Sequence, residues 1–237
     1  MKIRFINKQL IFIFSLLFTF LITNCKKDEK IDEGSIEYKI TYPCLEKSNN
    51  SLMFLLPKKM IMTFKNNCFK NKFIFSNPNS NLEAISNCNN KEITLAFRYG
   101  KSFKFTKLDS NTINILLDDV PNYSNLKNRV DSVFFLNMLS FNHELKSSEN
   151  DSIFNITSTS EIDIKDVNWC SPFNEIKEVM LEYSLIQYGI EMKFKAEKIN
   201  LIEVDDEFLS LNPNYKYLPI KQYLNEVKSI LSIFSCN

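Results

Sequence analysis

The sequence predicts a mainly β (α+β) domain: a single curved antiparallel sheet or half-open β-barrel with a C-terminal amphipathic helix packed on it. Three observations predict it. Segments of alternating apolar and polar residues recur along the chain, tight-turn signals follow two of them, and the final stretch switches to helical spacing. A period of two turns one face of each strand toward a core or cavity and the other toward water, as in half-buried antiparallel strands.

The first alternating set is Ile36, Tyr38, Ile40 and Tyr42, set against Ser35, Glu37, Lys39 and Thr41. Met60, Met62 and Phe64 repeat it, and Ile93, Leu95, Phe97 and Tyr99 do so against Glu92, Thr94, Ala96 and Arg98. Gly100-Lys101 fits a two-residue turn with glycine first, leading into a strand around Phe103 and Phe105. Ile113, Ile115 and Leu117 read as a further strand, and Ile162 with Ile164 as the edge of a shorter one. Val179, Leu181, Tyr183 and Leu185 alternate again, Gly189 turns the chain, and Ile190, Met192, Phe194 and Ala196 return. Residues 45–56 lack clean alternation and suit a short helix before Pro57. After Pro219, a residue suited to a helix start, Ile220, Tyr223, Leu224, Val227, Leu231 and Phe234 form an apolar stripe spaced by three and four. Lys221, Asn225, Lys228 and Ser232 lie opposite, so this helix is expected to lie across the sheet.

The beginning of the chain carries a different message. Lys2, Arg4 and Lys8 precede a continuous apolar run from Leu10 to Ile22, interrupted only by Ser15 and Thr19. A cationic stretch followed by a short apolar one is a secretory signal, and the run falls short of the ~20 residues a membrane-spanning helix needs. Leu21-Ile22-Thr23-Asn24-Cys25 resembles a lipobox, in which the cysteine takes a diacylglyceryl group and becomes the first mature residue. Asn24 departs from the small residue usual there, and the competing reading is an uncleaved N-terminal anchor. Residues 1–24 are thus expected to be a lipoprotein signal peptide, 25–33 the lipidated cysteine and a charged tether, and 34–237 one folded domain. Lys26-Lys27-Asp28-Glu29-Lys30 fits a solvated tether and equally a surface-export signal. The expected location is the outer membrane, lipid-anchored, on its periplasmic or outer face.

Subtracting the signal's three cations from the chain's net charge of +1 leaves about −2, so no basic surplus exists to neutralise phosphates and nucleic acid is a poor partner. A little over 200 mature residues suffice for one well-buried core. Besides Cys25 the cysteines are Cys44, Cys68, Cys88, Cys170 and Cys236, an odd number in a compartment that permits disulfides. Cys68 with Cys88, in neighbouring strands, is the first candidate pair. No C-x-x-C occurs and His143 is the chain's one histidine, which argues against a zinc site; no metal or cofactor is expected.

Leu56-Pro57-Lys58-Lys59-Met60, the run from Asn168-Trp169 through Pro172-Phe173, then Ile176, Val179-Met180-Leu181-Glu182-Tyr183, Gly189, Met192 and Ala196 resemble a family of secreted bacterial proteins of unknown function. Val204-Asp205-Asp206, Phe208 and Tyr215 continue the match. That family is similar in architecture to the lipoprotein carriers LolA and LolB, which implies a curved antiparallel sheet with helices closing its mouth. Two departures stand out: Glu178 replaces an expected glycine, and residues 140–157 lack an expected Gly-Tyr-x-Cys run. The resemblance implies no catalytic residues.

Nor does the rest of the chain suggest chemistry. His143 has Asp151 and serines near it in sequence, but without triad geometry it reads as a surface or hairpin histidine. With three glycines in the chain no nucleophile elbow or phosphate-binding loop is present. Asp118-Asp119 and Asp205-Asp206-Glu207 lack calcium-loop spacing and read as solvated or capping acids. Trp169-Cys170-Ser171-Pro172-Phe173 reads first as a packed plug over the barrel end, with a pocket lip or contact surface as alternatives.

The expected function is therefore non-enzymatic: a membrane-anchored lipoprotein whose concave sheet face, lined by residues such as Tyr38, Phe64, Phe97, Leu181 and Phe194, holds a lipid or other apolar ligand. The alternative is an envelope structural or interaction protein with a closed core, engaging another envelope protein.

Overall fold

The computed structural model describes residues 30–118, 120–148 and 152–234. The lipobox, Cys25 and most of the tether lie outside them, as do Asp119, Asp151 and Cys236.

The predicted fold class is the observed one. Strands β1 (Glu33–Thr41), β2 (Lys59–Lys65), β3 (Cys68–Ile74), β4 (Ser80–Asn87), β5 (Glu92–Tyr99) and β6 (Ser102–Asp109) form one meander. After β7 (Tyr123–Lys127) and β8 (Ser132–Phe135), strands β9 (Met138–Ser147), β10 (Ile153–Thr159), β11 (Val179–Gln187) and β12 (Ile190–Asn200) form a second. Antiparallel pairing of β1 with β12, from Ser35 opposite Asn200 to Thr41 opposite Lys193, joins the two. With β13 (Lys216–Tyr217) parallel to β6, the result is one open 13-stranded sheet in the order β13-β6-β5-β4-β3-β2-β1-β12-β11-β10-β9-β7, with β8 also on β9.

Sheet pairing starts earlier than residue 34: Ile31 bridges Ile162, and Glu33 pairs with Lys65. Gly34 answers a close approach, because a Cβ there would sit 2.7 Å from the Asn200 carbonyl oxygen. Register shifts at Glu37/Tyr38 against β12 and at Thr157/Ser158 against β11 interrupt the ladders, and such bulges bend and twist strands.

Turn chemistry follows from the scarcity of glycine. Gly100, at φ 61, opens the β5–β6 hairpin as expected, and Tyr188-Gly189 closes β11–β12 with both residues at positive φ. Elsewhere other residues, asparagine foremost, supply the left-handed conformation: Asn66-Asn67 joins β2 to β3, Leu136-Asn137 joins β8 to β9, and Lys91 precedes β5.

Two expectations are corrected. Ile113, Ile115 and Leu117 do not form a strand; Asn114–Leu117 is a short helix, α2, while the earlier short helix α1 spans Pro43–Lys47. The cause is local: Asp109 Oδ1 accepts from the Asn111 and Thr112 amides (both 3.0 Å) and from the Thr112 hydroxyl (2.8 Å), curling the chain. Ile162 and Ile164 are buried but form no strand: Ile162 makes a single β-bridge, to Ile31, and Ile164 makes none. The alternation also conceals β9 and β10, whose buried positions include Ser140, His143, Ser147, Ser158 and Thr159.

After β12 the chain crosses the convex face. Lys65 Nζ donates to the Val204 carbonyl (2.8 Å) and pairs with Asp206 (2.7 Å), and the Tyr215 ring meets Phe103 edge-on at 5.4 Å. It rounds the β6 edge, where the Leu218 amide donates to Phe105 O (2.8 Å), and enters helix α3 (Ile220–Leu231). A further turn, Ser232–Phe234, completes the C-terminal helical segment. Tyr223 and Phe234 are buried and Leu224, Val227 and Leu231 half-buried, so the expected stripe faces inward. Tyr223 packs edge-on against Phe97 at 5.2 Å.

Candidate ligand cavity

The inward-facing residues of β1 to β5, β11 and β12 curve around a space that α3 and the 165–178 loop cover. Packing does not fill it. A cavity of about 320 Å³ remains, lined by Tyr38, Met60, Met62, Phe69, Phe73, Leu82, Leu95, Tyr183, Leu185, Met192 and Phe194 from the sheet. Tyr223, Leu224, Val227 and Leu231 close it from the helix, and Val167, Cys170, Pro172 and Phe173 from the loop. Its size lies at the lower end of the ~300–1,000 Å³ typical of small-molecule sites.

The walls are fixed by a few polar ties. Tyr38 OH donates to the Met180 carbonyl (2.8 Å) and Tyr42 OH to Pro57 O (2.7 Å), so both phenols are spent on backbone acceptors. Burial raises the Tyr38 and Tyr183 pKa values, keeping both rings neutral. Tyr183 stacks on Phe194 with centroids 4.7 Å apart and planes within 10°, and Phe73 meets Phe194 edge-on. Asn168 holds the loop by donating to Ile176 O (2.8 Å) and Glu178 O (3.0 Å). In the Trp169–Phe173 run only Phe173 is buried, and Cys170 to Phe173 form part of the cavity wall, so the run serves the pocket-lip alternative as well as packing over the sheet.

Of the five proposed lining residues, Tyr38 and Phe194 border the cavity. Phe64, Phe97 and Leu181 are buried in the packed core instead. They share the inward parity, but Phe97 is covered by Tyr223, and Phe64 reaches toward the backbone at Gly34. The sequence reading missed Asn71, a polar residue at an inward position between Phe69 and Phe73; its odd place in an apolar series was the available signal.

The thiols fall elsewhere than expected. Cys68 and Cys88 are both free, because Cys68 lies opposite Asn87 and the one-residue offset turns Cys88 to the other face. Cys170 is free too, and Cys44 is disulfide-bonded to a partner outside the described residues. Burial pushes the Cys88 thiol up to about 11 and that of Cys170 to about 12.

His143 is not on the surface; it is fully buried, with Nε2 2.7 Å from the equally buried Ser158 Oγ. Arg129 and Glu178 pair beside it (2.7 Å), and burial lowers the histidine pKa. A serine–histidine pair with no solvent access cannot reach a substrate. Asp205 caps the 3-10 turn Asp206–Leu209 through the Glu207 amide (2.8 Å), and Asp206 serves Lys65.

No family model and no curated protein matches this chain. Among the described residues, no helix is long and apolar enough to cross a membrane.

Proposed function

We propose that this chain is a lipid-anchored envelope protein, non-enzymatic, that holds an apolar ligand in the cavity beneath α3. The observation that carries the reading is the unfilled apolar space of about 320 Å³ within an otherwise packed sheet–helix domain. Close packing is the norm for protein interiors, and a void this large forfeits contacts that a ligand would restore. Ten buried methylenes would contribute roughly 8 kcal/mol before the cost of association, enough for binding in the micromolar range at most. The carrier-like architecture suggested by the sequence, and a buried imidazole out of reach of solvent, support the same reading. Anchoring rests on the lipobox-like run ending at Cys25.

Two measurements test it. N-phenyl-1-naphthylamine, an uncharged probe that fluoresces in apolar surroundings, should bind the purified protein. Ala84→Phe, which pushes a ring into the space from β4, should abolish that binding without lowering the melting temperature. A wild type that leaves the probe dark would defeat the cavity reading. Separately, an alkyne fatty acid should label cells expressing the wild type and not Cys25→Ser; equal labelling would defeat the anchor.

A second reading, an interaction protein of the envelope, is favoured by the far edge of the sheet. Phe134 on β8 is 82% exposed, with Leu126, Ile153 and Val130 also exposed around the β7–β10 end.

A further inference from the structure

Among the described residues, two side-chain atoms of the cavity wall are buried without a hydrogen-bond partner: Asn71 Oδ1 and Tyr223 OH. Buried polar groups are ordinarily paired, so each calls for an explanation. Asn71 stands in register between Met62 and Ala84, with Leu95 opposite Ala84, so its amide interrupts a row of apolar wall residues running across the sheet. Tyr223 descends from the helix on the other side of the space, its ring held against Phe97 at 5.2 Å. One group offers an acceptor, the other a hydroxyl that can donate or accept. The charge of the wall narrows the choice further. Among the described lining residues there is no lysine, arginine or histidine, and the one acid, Glu83, already pairs with Lys70 at 3.1 Å. A carboxylate or phosphate buried here would find no cation.

We propose that the ligand is an uncharged long-chain lipid carrying a hydroxyl or amide N–H, such as a fatty alcohol, a fatty amide or a monoacylglycerol. Its polar group donates to Asn71 Oδ1 and is met by Tyr223 OH, while the chain fills the apolar remainder. This rests on the cavity reading above and gives that site its ligand class.

The test is displacement of N-phenyl-1-naphthylamine from the full-length protein at pH 8 by three twelve-carbon competitors: dodecan-1-ol, methyl dodecanoate and dodecanoate. The alcohol can donate, the ester can only accept, and the acid is ionised. Dodecanol should displace the probe at least tenfold more effectively than the ester, and dodecanoate least of all. In the Asn71→Leu/Tyr223→Phe double variant, the alcohol-to-ester ratio, measured within that one protein, should fall below threefold. Equal competition by alcohol and ester, stronger competition by dodecanoate, or an undiminished ratio in the double variant would each overturn the assignment. If the wild type fails to bind the probe at all, it is the cavity reading that fails, and this inference falls with it.

Discussion

The indole Nε1 of Trp169 donates to Ser86 Oγ across 3.0 Å, fastening the 165–178 loop to the inner face of β4. Ser86 is wholly buried, so its hydroxyl depends on protein partners. Trp169→Phe removes the donor and part of a half-buried ring. The expected loss is about 1–3 kcal/mol, or a fall of several degrees in melting temperature for a domain this size. Thermal melts check this, and faster proteolysis within residues 165–178 should accompany it. A variant with unchanged melting and cleavage would mean the bond holds nothing.

His143 makes the domain sensitive to mild acid. Its folded pKa is lowered from the ordinary 6.5 by burial, so protonation favours the unfolded chain. The contribution is complete above pH 6.5 and shrinks as pH falls from there toward the lowered folded value. Glu178, whose carboxyl is also lowered despite the opposing effect of its partial burial, chiefly through the Arg129 pair, adds a second loss below about pH 4.5. Because His143 is the chain's one histidine, the first window is clean. Melting temperature should decline between pH 6.5 and 5 in the wild type and stay flatter in His143→Gln; parallel curves would refute the assignment.

Burial separates the two faces of α3. Tyr223 is enclosed and Lys221 exposed. Tyr223→Ala should cost on the order of 3–5 kcal/mol and Lys221→Ala almost nothing, as read from urea midpoints. Leu224→Ala should fall between them, since Leu224 is half-buried and already borders empty space. Equal midpoints would detach the helix from the core.

Thiol mapping without reductant should find Cys68 and Cys88 alkylated only after denaturation and the half-buried Cys170 alkylated slowly in the native protein, because burial raises each thiol's pKa. Cys44 should react only after reduction. Rapid labelling of Cys170 in the native protein at pH 8 would contradict its place in the cavity wall.

The alternating strands were legible because a half-buried sheet prints its parity into the sequence, and Tyr38, Phe194 and the helix stripe emerged from that parity. Depth was not legible. Phe64 and Phe97 carry the same pattern as Phe194, and what separates them is which element presses on each ring. The α2 turn was hidden because Asp109 and Thr112 override an apolar alternation through short-range hydrogen bonds. Strands β9 and β10 were hidden because His143 Nε2 and Ser158 Oγ bond to each other inside the core, and a buried polar pair looks like a surface in the sequence.

The pairing of β1 with β12 also governs the order of assembly. Each meander can close from neighbouring hairpins, but the seam between them joins residues as distant as Ser35 and Asn200, whose side chains meet across 165 positions. Contacts of such separation form slowly, because a long loop must be closed before they contribute anything. The cavity has walls on both sides of that seam and a cover drawn from the 165–178 loop before it and from α3 beyond it. The cavity therefore cannot be complete before that long-range seam has closed, and an opened seam would part its walls.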